Sequence, residues 1–144
     1  EWEEEAVAPM PTVRTGARMA VLDGKLYAAG IQDEADGAAS SSVERYDLAT
    51  QSWEESAPMA TPRQNQAMAV LDGKVYAVGG YNDDDHWLNS VERYDPATNA
   101  WEAVAPMATV RNFHAVAVLD GKVYAVGGYN DDDHWLNSVE RYDP

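Results

Sequence analysis

The chain repeats itself, and the repeat constrains the fold more than any other feature. Residues 117–144 match residues 69–96 residue for residue, both reading AVLDGKVYAVGGYNDDDHWLNSVERYDP, and residues 20–47 carry a looser version. The period extends beyond these segments. Val-Glu-Arg-Tyr-Asp begins at Val43, Val91 and Val139, at intervals of 48 and 48. Asp-Gly falls at Asp23, Asp72 and Asp120, at intervals of 49 and 48. Trp2, Trp53 and Trp101 are spaced by 51 and 48, so the first unit holds two extra residues between Trp2 and Pro9. Units recurring at a fixed spacing fold as repeated supersecondary units, each burying an apolar face on the next. Tandem copies drift apart with time, so 28 identical positions point to a designed sequence or a very recent duplication.

Each unit reads as four short strands. In the third, residues 115–119 are apolar throughout and run into Asp120-Gly121. Asp-Gly between strand formers predicts a two-residue type I′ hairpin, whose left-handed backbone glycine adopts at little cost. Residues 122–126 make the second strand, closed by Gly127-Gly128. An Asp- and Asn-rich loop over 129–137 leads to the third strand, 138–142. The connection to a fourth strand is visible in the second unit, where Asp95-Pro96-Ala97-Thr98-Asn99 consists of turn formers and 100–104 follows. No segment spaces its apolar residues at helical intervals, so the fold class is all-β. Four-stranded units of about 50 residues are the pattern of propeller blades.

Charge and composition exclude several functions. Against 25 acidic residues stand 10 basic ones, a net charge of −15, with no basic stripe to hold nucleic acid or an anionic membrane. The 45% hydrophobic content is enough for a packed core. Cysteine is absent, so no disulfide forms. No apolar run approaches the ~18 residues of a membrane span, and a soluble protein compatible with the cytoplasm is expected. No Ser/His/Asp set recurs, and no phosphate-cradling loop or cofactor signature is present. Neither enzyme activity nor a cofactor is expected.

Asp-Gly-Lys-Val-Tyr-Ala-Val-Gly-Gly, with the pairs Tyr46/Trp53 and Tyr94/Trp101, resembles the Kelch repeat. Leu-Asn-Ser-Val-Glu-Arg-Tyr-Asp-Pro and Val-Ala-Pro-Met-Ala-Thr-Val-Arg resemble the Kelch-like substrate adaptors of Cullin-RING ubiquitin ligases in particular. The resemblance implies a β-propeller of four-stranded antiparallel blades, in a family whose rings have six. Residues 1–144 then form one domain of three blades, opening on a fourth strand at 1–8 and closing on first to third strands within 115–142. A three-blade arc exposes two blade faces and an unpaired strand edge. The expectation is a homodimer in which segment 1–8 of each chain completes the last blade of the other, closing a six-bladed ring. Trp2, Val7, Val139, Arg141 and Tyr142 are expected at that closure. The expected function is a self-assembling, non-enzymatic scaffold; the alternative is a peptide-binding module.

The resemblance also places the connections from strand four to strand one, and the loops after strand two, on one peptide-binding face. The connections vary where the frame does not: Thr15-Gly16, Gln64-Asn65 and Asn112-Phe113. The loops carry Asp83, Asp84, Asp85, His86 and Trp87, and again Asp131, Asp132, Asp133, His134 and Trp135. Carboxylates beside an imidazole can hold a divalent cation, but the alternating acids and central glycine of a calcium loop are missing, so no metal site is expected. Phe113, Trp87 and Trp135 are expected to be exposed anchors. Adaptors that grip acidic peptides carry arginines on this face. Gly16, Asn65 and Phe113 stand there instead, so the acidic, aromatic rim is expected to favour a cationic peptide or protein.

The remaining recurrent residues read as scaffold. Arg14, Arg63 and Arg111, with the Glu-Arg pair of each third strand, are expected to clamp loops and blades. Tyr46, Tyr94 and Tyr142 are expected to pack blades together with Trp2, Trp53 and Trp101. Arg18 replaces Ala67 and Ala115 on an inner strand and is expected to reach the central channel. Ala29 and Ile31 stand near the place of the glycine pair in the first unit, where one glycine is lost; a left-handed backbone there would cost ~1 kcal/mol.

Overall fold

A computed structural model describes residue 2 and residues 7–32, 37–132 and 134–144. The described residues form three antiparallel sheets and no helix. The first sheet holds β1 (Arg14–Leu22), β2 (Lys25–Gln32), β3 (Val43–Asp47) and β4 (Ser52–Ser56), paired in chain order. The second repeats that order with β5 (Ala67–Leu71), β6 (Lys74–Asn82), β7 (His86–Asp95) and β8 (Ala100–Val104). The third holds β9 (Ala115–Leu119), β10 (Lys122–Val126) and β11 (Val139–Tyr142). Segment 1–8 lies largely outside the described residues, and Trp2, Val7 and Ala8 are in no strand.

The hairpins follow from local chemistry. Asp23, Asp72 and Asp120 all sit at φ 49°, and the glycines after them at 72°, 71° and 68°. Both central residues of each turn are left-handed, as a type I′ turn requires. Lys25 Nζ and Lys74 Nζ then donate to Asp47 and Asp95 at 2.6 and 2.7 Å, tying each first hairpin to the turn after the third strand.

The core lies between sheets. Ala20, Leu22, Tyr27 and Val43 of the first blade pack on Met68, Val70, Val75, Tyr94 and Trp101 of the second. Leu71, Tyr76, Val78 and Val91 of the second pack in turn on Val116, Val123 and Tyr142 of the third. Tyrosines bridge each boundary, with ring centroids 5.5 Å apart for Tyr27–Tyr94 and 6.0 Å for Tyr76–Tyr142. Tyr46–Trp53 and Tyr94–Trp101 stack at 5.4 Å as cross-strand partners within a blade. The tyrosine–tryptophan sets thus serve both directions.

One buried ion pair per blade locks the connection into that blade. Arg63 is fully buried, donating to Glu92 Oε2 at 2.9 Å, to the Gly79 and Ser90 carbonyls, and to Ser90 Oγ. Glu92 accepts the Ala60 and Thr61 amides. Arg14–Glu44 and Arg111–Glu140 repeat the pair at 3.0 Å. The two residue sets recur in the sequence, but their pairing is a product of the fold.

Two expectations change. The loop over 81–89 is mostly strand: β6 reaches Asn82 and β7 starts at His86, leaving three aspartates in the turn. Asn82 closes that turn, accepting the Asp85 amide at 2.6 Å, while the Arg111 amide of the next connection binds the Leu88 carbonyl. Ala29 takes no left-handed backbone; it pairs with Arg18 as Val78 pairs with the equivalent Ala67, so it stands in the place of Val78, and Gly30, at φ 122°, holds the place of Gly79. The anticipated strain at Ala29 is therefore absent. Arg18 donates sideways, to the Gln66 carbonyl of the second blade at 3.1 Å and to the Gly16 carbonyl at 3.3 Å.

Candidate functional site

The connections into β5 and β9, and the irregular start of β1 at the equivalent place, each turn through one left-handed residue. These are Gly16, Asn65 and Phe113, at φ 58°, 54° and 57°. Glycine and asparagine accept that geometry readily, whereas a bulky aromatic residue is an outlier. Phe113 nonetheless holds it and is 58% exposed. Its amide donates to the Asn65 carbonyl at 3.3 Å, linking two connections.

Each connection is pinned to the exit of the second strand in its own blade. Gln64 and Tyr81 exchange amide-to-carbonyl bonds of 2.9 Å, and Asn112 and Tyr129 do so at 3.0 and 2.9 Å. The Gly-Gly pair makes that approach possible. A Cβ on Gly80 would lie 2.7 Å from the Gln64 carbonyl oxygen, and one on Gly128 would lie 2.7 Å from that of Asn112.

The exposed part of this face is acidic and aromatic. Asp83, Asp84, Asp85 and His86 are exposed in the second blade, as are Asp131, Asp132 and His134 in the third; Asp133 lies outside the described residues. Tyr81 meets Trp87 edge-on at 5.6 Å, and Tyr129 meets Trp135 at 4.9 Å. Trp135 is 78% exposed. Trp87 is half-buried instead of exposed. Thr15 and Gly16 are exposed, Gln64 and Asn65 are half-buried, and Asn112 is buried. Among the described residues no three of His, Asp or Glu converge as metal ligands.

Beneath the face lie polar groups that sequence reasoning did not single out. Gln66 and His114 occupy equivalent, buried positions; the Gln66 amide has no hydrogen-bond partner, and the His114 ring has only the Val78 carbonyl nearby, outside good hydrogen-bond geometry. Asn112 Oδ1 and Trp87 Nε1 are likewise unpaired. Burial, with Arg111 and Arg18 nearby, pushes the His114 pKa down to about 4, and the Val78 carbonyl does not offset them. His114 is therefore neutral at pH 7. The signal for these residues was present in the period: Ala17, Gln66 and His114 are the varying position next to the left-handed one.

The closure residues lie on the open side of the third blade and at the start of the chain. Trp2 is fully exposed, Val7, Val139 and Arg141 are exposed, and Tyr142 is half-buried against Tyr76.

Comparison with known proteins bears on the frame. The model of the KLHDC2/KLHL20/DRC7 Kelch-repeats domain matches residues 1–128. No curated protein matches. Among solved structures, that of YjhT superposes with a TM-score of 0.74 over 88% of this chain, at 23% identity. The present chain spans 37% of that chain's length. At this identity the likeness establishes a shared fold.

Proposed function

The chain belongs to the Kelch-repeat family, and on that premise we propose that it is a non-enzymatic propeller scaffold that assembles by homodimerisation into a six-bladed ring. One observation carries the proposal. The identical segments 69–96 and 117–144 differ sharply in burial. Leu71 is 6% exposed and Leu119 65%; Val78 is 2% and Val126 43%; Val91 is 7% and Val139 54%. The third blade covers the second, and no described residue covers the third. At the other end of the arc, Met19 and Val21 are exposed where the equivalent Met68 and Val70 pack on the first blade. The two open faces thus carry the same residue classes as the two faces that meet inside the chain. Exposed apolar surface of this extent favours association. A two-fold arrangement buries both faces of both copies at once. The repeat identity further supports a designed or recently duplicated origin. Sedimentation and native mass spectrometry test the ring: a mass of two chains of 15.8 kDa is expected, and a single-chain mass at micromolar concentration refutes it.

A second reading is favoured by Phe113. A left-handed, exposed phenylalanine on a face rich in aspartate is the arrangement of a recognition surface for a cationic peptide or protein. Titration with basic and acidic peptides of equal length decides it. Equal binding to both, or to neither, removes this reading and leaves the scaffold intact.

A further inference from the structure

We infer that the groove beside β11 is a receptor for the Trp2-Glu3 segment of a second copy of this chain. The inference rests on the ring reading and names the contact that locks the ring. It comes from a three-part contact made twice within the chain. In the first blade Trp53 stacks on Tyr46, donates its indole N–H to the Ala8 carbonyl at 2.8 Å, and is followed by Glu54, which binds Arg45 at 2.7 Å. In the second blade Trp101 stacks on Tyr94, donates to the Ala57 carbonyl at 2.8 Å, and is followed by Glu102, which binds Arg93 at 2.6 Å.

The third blade holds the receiving half of this contact, and no described residue supplies the other half. Tyr142 and Arg141 occupy the places of Tyr94 and Arg93, and Ala105 that of Ala57. Arg141 has no ion pair among the described residues. Tyr142, Arg141, Ala105, Met107, Tyr76 and Val78 line an open groove of about 280 Å³. A third tryptophan followed by glutamate in this register stands at Trp2-Glu3, and Trp2 is fully exposed.

The same contact shows why the occupant comes from another copy. Ala57 directly follows the fourth strand of the first blade, and Trp101 of the next blade binds it. Trp53 binds Ala8 in the same way. Ala8 therefore stands where the fourth strand of a blade preceding the first one ends, and Trp2 belongs to that blade. The described blade without a fourth strand is the third, separated from that place by the first and second. The stretch from Trp2 to Ala8 is also two residues longer than its equivalents, 53–57 and 101–105, adding up to ~7 Å of reach between copies.

The test compares the full chain with Trp2→Ala, Arg141→Glu, Glu3→Arg and the Glu3→Arg/Arg141→Glu double variant by sedimentation, with circular dichroism to confirm folding. Two locks form per ring. Trp2→Ala weakens the dimer at least 100-fold, as removal of two buried anchors does. Each charge reversal weakens it about tenfold, and the double variant, whose pair is restored with exchanged signs, recovers most of that loss. An unaltered chain that remains a monomer overturns the ring reading and this inference together. A dimer equally strong in Trp2→Ala overturns the lock and leaves the ring standing. A double variant as weak as the singles overturns the pairing of Arg141 with Glu3.

Discussion

Arg63→Met removes the centre of the second blade's connection at nearly constant side-chain volume. The guanidinium makes five hydrogen bonds, two of them to Glu92 Oε2 and the others to the Gly79 carbonyl and to Ser90. Methionine satisfies none of these acceptors. The Glu92 side chain, 4% exposed, keeps the Ala60 and Thr61 amides but loses its counter-ion. An uncompensated buried charge costs about 3–5 kcal/mol. Arg45→Met, which breaks the more exposed pair with Glu54 at 2.7 Å, is the internal control and costs under ~1 kcal/mol. In urea, with a slope of roughly 2 kcal/mol/M, Arg63→Met lowers the unfolding midpoint by about 2 M and Arg45→Met by under 0.5 M. Both are read at one protein concentration, because association adds to apparent stability. Adding Glu92→Leu to Arg63→Met removes the orphaned carboxylate and recovers part of the loss. A midpoint for Arg63→Met within 0.5 M of the Arg45→Met value, a bound from the same ~2 kcal/mol/M slope, refutes the reasoning.

Other perturbations probe the candidate face and its support. His114, held down to about 4 by burial with Arg111 and Arg18 nearby, takes up a proton more readily unfolded than folded. Its contribution to stability is complete above pH 6.5 and is lost as pH falls toward 4, by about 3 kcal/mol at most. His114→Gln, the residue at the equivalent Gln66, flattens that part of the pH–stability curve. Gly79→Ala places a Cβ 2.7 Å from the Arg111 carbonyl oxygen at φ 61°, whereas Gly121→Ala meets open space at φ 68°. Thermal melts show Gly121→Ala losing ~1 kcal/mol and Gly79→Ala at least ~2 kcal/mol more. Phe113→Asn relieves the left-handed backbone and stabilises the chain by about 1 kcal/mol. If the face grips a cationic peptide, calorimetry on the same variant records weaker binding.

Much of the architecture was legible in the chain. The 48-residue period, the Asp-Gly turns and the alternation of strand formers with turn formers are local signals, and the strands at 100–104, 115–119 and 122–126 have the bounds they predict. The recurrence of Arg14, Arg63 and Arg111 marked them as scaffold, because residues repeated in every unit support the unit. The partner of each arginine was not legible, since Arg63 and Glu92 are 29 residues apart and only the folded connection brings them together. The candidate face was legible as a set of varying positions. Its depth was not: Asn112 is buried, and Gln66 and His114 lie buried beneath the surface.

The two 28-residue copies separate what sequence decides from what tertiary structure decides. Both turn through the same Asp-Gly hairpin, because that turn depends on the backbone freedom of two adjacent residues. Yet in the second blade the copy gives strands Lys74–Asn82 and His86–Asp95, and in the third only Lys122–Val126 and Val139–Tyr142. Trp87 is half-buried while Trp135 is exposed. No residue differs between the copies. The difference is the neighbour: the Arg111 amide reaches the Leu88 carbonyl, Met107 the Asn89 carbonyl, and the third blade covers Leu71, Val78 and Val91. A blade's own residues set where its chain turns. How far its strands extend, and which of its side chains leave water, depends on the surface of the blade beside it.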